Sequence, residues 1–486
     1  MISITQDRDK KHRGAVTKAA AVIFWIAVWQ AASEAIGQEI LLVSPVAVFV
    51  RLCELLMQAD FWHSVGFSML RILLGFLLGT ITGILLAGLA SCVFWIRALI
   101  APAVLTVKAI PVASFVILVL IWVPSRNLSA VISFLMVFPI LYTNVLSGIE
   151  STDKKLLEMA EVFRLSRTRR IRFIYIPQII PFFCSACSVA LGLCWKAGVA
   201  AEVIGIPDGS IGERLYQAKV YLDTPDLFAW TAVIIVVSLV FEKLFLALIY
   251  RAAERIGTKS HLYHQKRQSR PISVTEKPKD DTEEWKNLEV SHLYKSYGEN
   301  RVLEDFCVNF PPGKITCIMA PSGKGKTTLL RILMGLEQPD SGEINHMEGR
   351  RISAVFQEDR LCPNLSAGAN VCIALKITEA DILRITEGFR SMNLPDDCIT
   401  RPARTLSGGM KRRVAILRAL FSPWDILILD EPFQGLDKET RTKVLDTLRR
   451  QCAGRTVICV THEERDAREL GAEIVRLQED TQIPCI

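Results

Sequence analysis

The chain has 486 residues, half of them hydrophobic, with a formal net charge of +7 and 13 cysteines at irregular spacing. This length allows two or three domains, and the scattered cysteines argue against a disulfide-stabilised scaffold. The basic residues cluster at the N-terminus and around 164–172, next to apolar runs, which indicates a membrane surface and argues against nucleic acid as a partner.

Long uncharged runs dominate the chain up to about residue 250. Crossing about 30 Å of hydrocarbon takes roughly 20 apolar residues in a helix, so the sequence predicts six membrane spans. Pro111 is expected to kink the third span, and Pro177 and Pro181 mark the entry to the fifth. The first span lacks a cleavage site and is interpreted as an uncleaved anchor. The predicted spans are 17–36, 67–92, 99–121, 128–149, 178–198 and 227–249.

The distribution of Lys and Arg predicts the orientation of these spans. An even number of spans leaves both ends of the domain on one side of the membrane. The N-terminal tail and the loop at 150–173 are basic, whereas the loops at 37–66 and 199–226 are poorer in Lys and Arg. The positive-inside rule therefore places both termini and the 150–173 loop in the cytoplasm.

Four ionisable residues lie in or near the predicted spans: Arg71, Lys108, Lys196 and Glu202. Such residues usually face a cavity or a partner, because charge at bilayer depth is unfavourable. One interpretation is a positive translocation path for an anionic or zwitterionic solute. In the other, Arg71 reaches the interface, Lys196 pairs with Glu202, and Lys108 packs against polar backbone near the third-span proline.

The basic loop contains Glu158 and Ala160, then Arg164, and then a stretch with Pro177 and Pro181. This resembles the coupling segment of type I ABC importer permeases, whose pattern is Glu-Ala-Ala, three residues, Gly and a proline-bearing stretch. Arg164 replaces the Gly, which leaves the local turn geometry open. The resemblance implies a short cytoplasmic helix that docks into a groove of the ATPase. The alternative is a basic amphipathic helix on the lipid surface.

The segments LLVSPVAVFVRL (41–52) and WKAGVAAEVIG (195–205) look like nitrate/sulfonate/taurine-type permeases, and this resemblance covers nearly all of 17–250. It implies an all-α membrane domain over 1–256. The polar and charged stretch 257–286 predicts a flexible linker, and 287–486 would form an α/β domain of the P-loop NTPase type.

A glycine-rich turn, APSGKGKTTLL at 320–330, follows the apolar run 315–319, which predicts a buried strand. Between a strand and a helix, such a turn directs backbone N–H groups at phosphate oxygens. Ala320 stands where the P-loop pattern has its first Gly, and the turn is expected to depend on the two later glycines. Lys326 would reach the β- and γ-phosphates, and Thr327 would coordinate Mg²⁺. The predicted phosphate-binding residues are Ser322, Gly323, Lys324, Gly325, Lys326, Thr327 and Thr328.

Further motifs follow in the order and spacing of ABC ATPases, which this half of the chain resembles. The resemblance implies that Tyr297 stacks on adenine and that Gln357, in the Q-loop, contacts Mg²⁺ and the γ-phosphate. LSGGM at 406–410 resembles the signature LSGGQ, with Met410 replacing Gln. The backbone of Ser407, Gly408 and Gly409 would contact the nucleotide of a second subunit, which implies a dimer.

The remaining predicted catalytic residues follow two apolar strands. Asp430 would hold the Mg²⁺ water shell and Glu431 would polarise the attacking water. Asp437 fits the D-loop, and His462 fits the histidine that contacts the γ-phosphate.

Together these features predict a multidomain chain, a six-span helical membrane domain followed by an ABC-type ATPase, with ATP and Mg²⁺ as cofactors. We expect a homodimer in the bacterial cytoplasmic membrane, with both termini and the ATPase domain in the cytoplasm. It would import a nitrate-, sulfonate-, taurine- or bicarbonate-like solute delivered by a separate extracytoplasmic binding protein. The alternatives are import of a thiamine-precursor pyrimidine and an ATP-gated sensor without net transport. An exporter is disfavoured because the coupling pattern belongs to importers.

Overall fold

The structure is a computed structural model that describes residues 2–258, 286–321, 323–375 and 379–476. The chain forms two compact units. The helical unit consists of Met1–Ser151 and Ile179–Arg251, and the mixed unit consists of Thr152–Gln178 and Ala252–Ile486. Most of the predicted linker at 257–286 lies outside the described residues, as does the predicted phosphate-binding residue Ser322.

Helices are the only regular secondary structure among the described residues of the first part of the chain. The helices of the helical unit are α1 (Ile2–Ile36), α2 (Pro45–Leu56), α3 (Ala59–Cys92), α4 (Phe94–Ala109), α5 (Val112–Leu120), α6 (Ser125–Glu150), α9 (Ile176–Gly205), α10 (Ile211–Val220) and α11 (Thr224–Thr258). Helices α7 (Lys154–Val162) and α8 (Arg167–Arg170) precede a π-helical turn, Ile171–Tyr175, which leads into α9.

Four helices in the described residues are long and apolar enough to cross a membrane: Ala59–Cys92, Ser125–Glu150, Arg167–Gly205 and Thr224–Arg251. The predicted third span is not one helix, because α4 and α5 meet at a bend of 109°. Pro111 lacks an N–H and favours an extended residue before it, and Ile110 has ψ 130°. With this pair counted as one span the total is five, and Ala20–Ile36 is a shorter apolar helix. The number six stays a prediction.

Helices α3 and α6 pack closely through glycines spaced four residues apart on α3. A Cβ atom on Gly75 would lie 2.2 Å from the Ala130 carbonyl oxygen, and one on Gly79 would lie 2.9 Å from the Val137 Cβ. Gly83 makes the next such approach along the same face. Small residues at this spacing let two helix backbones come together without side chains between them.

The proposed pairing of Lys196 with Glu202 is wrong. Glu202 is fully buried and accepts a hydrogen bond of 2.6 Å from the Ser68 hydroxyl, whereas Lys196 is exposed. Residues six apart lie about 120° apart around an α-helix, so these two side chains leave α9 on different faces. Arg71 donates to the Asn127 side chain at 2.8 Å, and the Lys108 ammonium lies 3.2 Å from the Thr143 hydroxyl.

The mixed unit contains two sheets. The antiparallel sheet has the order β2-β1-β4 and the parallel sheet has the order β5-β6-β7-β3-β8. The strands are β1 (Leu288–Tyr297), β2 (Asn300–Phe310), β3 (Ile315–Met319), β4 (Ser341–Asn345), β5 (Ile352–Val355), β6 (Ile426–Asp430), β7 (Thr456–Val460) and β8 (Glu473–Arg476). The predicted buried strand at 315–319 is confirmed.

Helices flank the parallel sheet, and the helix after the glycine-rich turn begins at Lys326. The helices are α12 (Lys326–Leu333), α13 (Ala367–Cys372), α14 (Glu379–Ser391), α15 (Gly408–Phe421), α16 (Lys438–Cys452) and α17 (Glu464–Leu470). Strands β5, β6, β7 and β3 are parallel neighbours, so their carboxyl ends meet at one edge of the sheet. In open α/β sheets this edge is where ligands bind.

Candidate nucleotide site and coupling segment

The glycine-rich turn after β3 depends on two left-handed glycines. Gly323 has φ 84° and Gly325 has φ 76°, and a Cβ on Gly325 would lie 2.8 Å from the Val302 carbonyl oxygen. Ala320 is not among the described residues with positive φ. The two later glycines, and not the first position, therefore take the left-handed conformation that favours glycine, in keeping with the expectation that the turn needs them more than its first position.

Lys326 begins α12 and folds back over the turn. Its ammonium donates to the carbonyl oxygens of Ala320 and Pro321, at 2.5 and 2.9 Å. Burial lowers the pKa of Lys326, and the nearby carboxylates of Asp430 and Glu431 act in the opposite direction. The cation thus lies across the predicted phosphate-binding loop. The remaining described loop residues are Gly323, Lys324 and Thr327, which are exposed, and Thr328, which is half-buried.

The end of β6 carries the two predicted acidic residues. Asp430 is buried, and burial together with the charge of Glu431 raises the pKa of Asp430 to about 6. Glu431 has φ 48°, an uncommon left-handed value for a residue other than glycine. Its carboxylate lies 2.8 Å from Nε2 of His462, which follows the neighbouring strand β7. Three predicted site residues are therefore brought together.

Gln357 and Tyr297 lie on other strand ends. Gln357 is exposed two residues after β5, which neighbours β6 in the sheet. Tyr297 ends β1 and is half exposed, and the Lys295 ammonium lies 5.6 Å from the centre of its ring. Its hydroxyl donates to Glu337 at 2.5 Å.

The signature and D-loop residues lie at the starts of two helices. Ser407 is the N-cap of α15, and its hydroxyl accepts from the Met410 N–H at 3.4 Å. Nothing lies within 4 Å of a Cβ on Gly408, whereas a Cβ on Gly409 would lie 3.5 Å from the Gly435 carbonyl oxygen. Asp437 is the N-cap of α16, and hydrogen bonding by the Thr440 N–H lowers its pKa.

The segment with Glu158 packs within the mixed unit. Glu158 accepts from both terminal nitrogens of Arg331, at 2.9 and 3.1 Å, and lies 2.7 Å from a nitrogen of Arg360. The hydrogen bonds from Arg331 lower the pKa of Glu158. Arg331 belongs to α12, which begins at Lys326, and Arg360 is three residues beyond Gln357. Glu158 thus contacts two segments that carry predicted nucleotide-binding residues, the helix of Lys326 and the segment of Gln357.

The apolar face of α7 belongs to the core of the mixed unit. Ala160 is fully buried and, with Met159, packs in the cluster that contains β3, β6 and β7. This covering by protein disfavours the alternative of a helix lying on lipid. Arg164 ends the helix with φ 49° and donates to the Arg350 carbonyl oxygen at 2.9 Å. The turn geometry expected of glycine is therefore retained by arginine.

Three further residues at the site were missed by the sequence reasoning. Arg331 and Glu337 connect Glu158 to Tyr297, since Nε of Arg331 donates to Glu337 at 3.3 Å. Arg412, two residues past the signature, is buried against the ends of β5 and β6. Nothing in the sequence distinguishes it from the neighbouring Lys411 and Arg413, because its contacts are all distant along the chain.

Two family models match the chain. Residues 41–256 match the family described as binding-protein-dependent transport system inner membrane component, and residues 303–434 match the ABC transporter family. The first match covers most of the helical unit, and the second includes the glycine-rich turn, the signature and both acidic residues after β6.

The relatives of the second half carry different solutes in their names. The spermidine/putrescine import ATP-binding protein of Aggregatibacter actinomycetemcomitans is 37% identical, over 39% of this chain and 55% of its own. The aliphatic sulfonates import ATP-binding protein of Nocardia farcinica is also 37% identical, over 39% of this chain and 77% of its own. The chain thus spans about half the length of the polyamine relative.

Among solved structures, the chain is similar to a dimeric ATP-binding cassette in a post-hydrolysis state bound to ADP and Pi. The identity is 28%, the TM-score is 0.36, and the match covers 39% of this chain and 94% of the other.

This chain belongs to the ABC transporter family. It combines a multi-pass membrane permease domain of the binding-protein-dependent type with an ABC ATPase domain, the class of domain that binds and hydrolyses ATP to drive transport.

Proposed function

We propose that this chain uses ATP hydrolysis to import a small solute across a bacterial cytoplasmic membrane. One observation carries the proposal: Glu158 is ion-paired with Arg331 on the helix that begins at Lys326 and with Arg360 near Gln357. A rearrangement at the nucleotide site would move these two arginines and, through Glu158, the segment 152–178. That segment continues along the chain into α9, one of the membrane-crossing helices.

The residues present fit a nucleoside triphosphate with Mg²⁺. Lys326, the left-handed glycines and the first amides of α12 offer positive charge and N–H donors to phosphate. Thr327 and Asp430 offer hydroxyl and carboxylate oxygens, which Mg²⁺ prefers as ligands. When bound, Mg²⁺ supplies neutralisation of the charge that develops on the phosphates.

Within this site, Glu431 would orient the attacking water and accept its proton, while His462 holds the carboxylate in place through the 2.8 Å contact. Gln357 is exposed beside them and would contact the γ-phosphate. Tyr297 would stack on adenine. These roles are the ones that the resemblance to ABC ATPases implies.

We expect two copies of the chain to act together, because Ser407 and Gly408 are exposed at the N-terminus of α15. Backbone amides in this position suit a phosphate carried by a second copy. A separate extracytoplasmic binding protein is expected as a further partner, in keeping with the description of the family that matches 41–256. The basic segment 152–178 and the ATPase domain would lie in the cytoplasm.

The solute is proposed to be a small anion or zwitterion, such as a sulfonate, taurine, nitrate or bicarbonate. Support comes from the membrane helices. Glu202 is fully buried and hydrogen-bonded to Ser68, so it does not neutralise the exposed Lys196, whose positive charge suits an anionic group. Similarity of the ATPase domain does not decide the solute, because one relative is named for cationic polyamines and the other for anionic sulfonates at equal identity.

Uptake by vesicles tests the proposal. Membranes from cells that produce the full chain and its binding protein would be loaded with ATP inside and given labelled taurine, alkanesulfonate, nitrate, bicarbonate or hydroxymethylpyrimidine outside. Accumulation of one solute is expected with the wild type and not with Glu431→Gln, which should still bind ATP. Hydrolysis without accumulation of any solute would support the sensor alternative, and undiminished uptake by Glu431→Gln would reject the water-polarising role.

A further inference from the structure

Arg412 is a buried cation that none of the roles above uses. It lies on α15 with only 3% of its surface exposed. A buried guanidinium is unfavourable unless its donors are satisfied, and burial lowers its pKa despite the nearby carboxylate of Asp359. Its partners should therefore reveal why an arginine stands here.

The guanidinium joins the ends of two neighbouring strands. One terminal nitrogen donates to the carbonyl oxygens of Phe356 and Gln357, at 2.5 and 3.2 Å, just past β5. The other donates to the carbonyl oxygens of Asp430 and Glu431, at 2.5 Å each, at the end of β6. Nε donates to Pro432 at 3.3 Å, and Asp359 lies 3.4 Å away as the charge partner.

These contacts surround a strained residue. Glu431 has φ 48°, and a non-glycine residue in this conformation stores backbone strain that the surroundings must hold. Its N–H donates to the Val460 carbonyl oxygen at 2.9 Å, which fixes one side of the peptide. Arg412 fixes the other side, because it binds the carbonyl oxygens of Glu431 and of the residues before and after it.

We infer that Arg412 is a positioning residue for ATP hydrolysis: it holds the strained backbone of Glu431 in the orientation that presents its carboxylate, and ties that backbone to the Q-loop. The inference rests on the proposed role of Glu431. When the nucleotide binds or Glu158 moves, the Q-loop shifts. The planar guanidinium of Arg412 then passes this shift to Glu431, the proposed general base. Lysine cannot replace this fork, because its ammonium is a point donor without fixed geometry.

Arg418 provides a matched control on the same helix. It is fully buried as well, but its guanidinium donates to the carbonyl oxygens of Arg360 and Asp359, at 2.7 and 3.0 Å. It also lies over the ring of Phe163 at 5.1 Å. Arg418 therefore matches Arg412 in type, burial and helix, but among the described residues it does not bond to the carbonyl oxygens around Glu431.

The test compares Arg412→Lys and Arg418→Lys in the full chain, reconstituted in lipid nanodiscs. Steady-state hydrolysis would give kcat and KM for MgATP, a fluorescent ATP analogue would give nucleotide affinity, and thermal unfolding would give stability. Displacing a catalytic group by about 1 Å lowers rates on the order of a hundredfold. We expect kcat to fall at least about tenfold for Arg412→Lys with affinity changed less than about threefold, and Arg418→Lys to keep kcat within about threefold.

Equal losses of kcat in the two lysine variants, or an unchanged kcat in Arg412→Lys, would overturn the inference. If Arg412→Lys does not fold, Arg412→Gln replaces it, since the amide avoids a buried charge but can satisfy only part of the carbonyl set; the same loss of kcat is expected, and wild-type kcat would overturn the inference. Glu431→Gln is measured alongside. If Glu431→Gln hydrolyses ATP normally, the proposed role of Glu431 fails. This result is distinct from a failure of the Arg412 inference, which the lysine variants test.

Discussion

Two turns of the mixed unit lack a glycine that their patterns call for, and the structure treats them differently. At the end of α7, Arg164 takes the left-handed conformation that glycine would take, with φ 49° and a hydrogen bond to the Arg350 carbonyl oxygen. In the phosphate-binding turn, Ala320 is not in the left-handed region, and Gly323 and Gly325 are. A missing glycine thus matters only where a positive φ is required.

The largest effect is expected from Gly325→Ala, because this position has both a positive φ and a neighbouring atom too close for a Cβ. The left-handed φ of 76° disfavours alanine by about 1–2 kcal/mol, and the new Cβ would lie 2.8 Å from the Val302 carbonyl oxygen. We expect loss of ATP binding, measured with a fluorescent ATP analogue, and loss of hydrolysis.

Gly335→Ala is the matched control for that change. Gly335 has φ 71° but nothing within 4 Å of its Cβ position, and it follows the far end of α12. Backbone strain should lower the free energy of unfolding of Gly335→Ala by a similar amount, about 1–2 kcal/mol, while the variant still binds ATP. Loss of binding in both variants would show that general destabilisation, and not the shape of the turn, is responsible.

The second effect concerns Glu158, which lies on the helix that the Arg164 turn ends. Glu158→Gln keeps the size of the side chain but removes its charge between Arg331 and Arg360. We expect solute transported per ATP hydrolysed to fall at least about fivefold, the scale of a coupling energy of 1 kcal/mol or more, with basal hydrolysis little changed. Glu161→Gln, on an exposed position of the same helix, should leave the ratio unchanged; a wild-type ratio in both would contradict the coupling role.

The third effect tests the strain at Arg164 directly. Arg164→Gly removes left-handed strain of about 1–2 kcal/mol and loses one hydrogen bond worth about 0.5–1.5 kcal/mol, so stability should change little. Arg164→Val loses the same bond and puts a β-branched residue at positive φ, which is a true outlier. The melting temperature of Arg164→Val should therefore lie well below that of Arg164→Gly. Equal melting temperatures would contradict the assigned strain.

The smallest effect is expected from Ala320→Gly, which restores the missing glycine. Because Ala320 has no positive φ, glycine adds only flexibility, which destabilises by roughly 0.5–1 kcal/mol. Hydrolysis should stay within about twofold of the wild type. A several-fold rise in kcat/KM would mean that the first position of the turn matters after all.

Much of the site could be predicted from short stretches of sequence. The strand Ile315–Met319 follows from its apolar run, and the apolar runs of β6 and β7 lead into the polar residues Glu431 and His462. Such signals are local, because a buried strand is apolar along its own length and a phosphate-binding turn uses consecutive residues. The apolar helices of the helical unit were predictable for the same reason.

Tertiary structure alone decided which distant residues meet. Glu202 pairs with Ser68 rather than with the nearby Lys196, and the glycines of α3 are matched by α6. The 109° break at Pro111 exceeds the predicted kink. Arg412 is one of three consecutive basic residues, and only the fold shows that it reaches the carbonyl oxygens on both sides of Glu431. Composition and spacing determine which elements form, but hydrogen bonds across the sheet depend on packing between residues far apart in the chain.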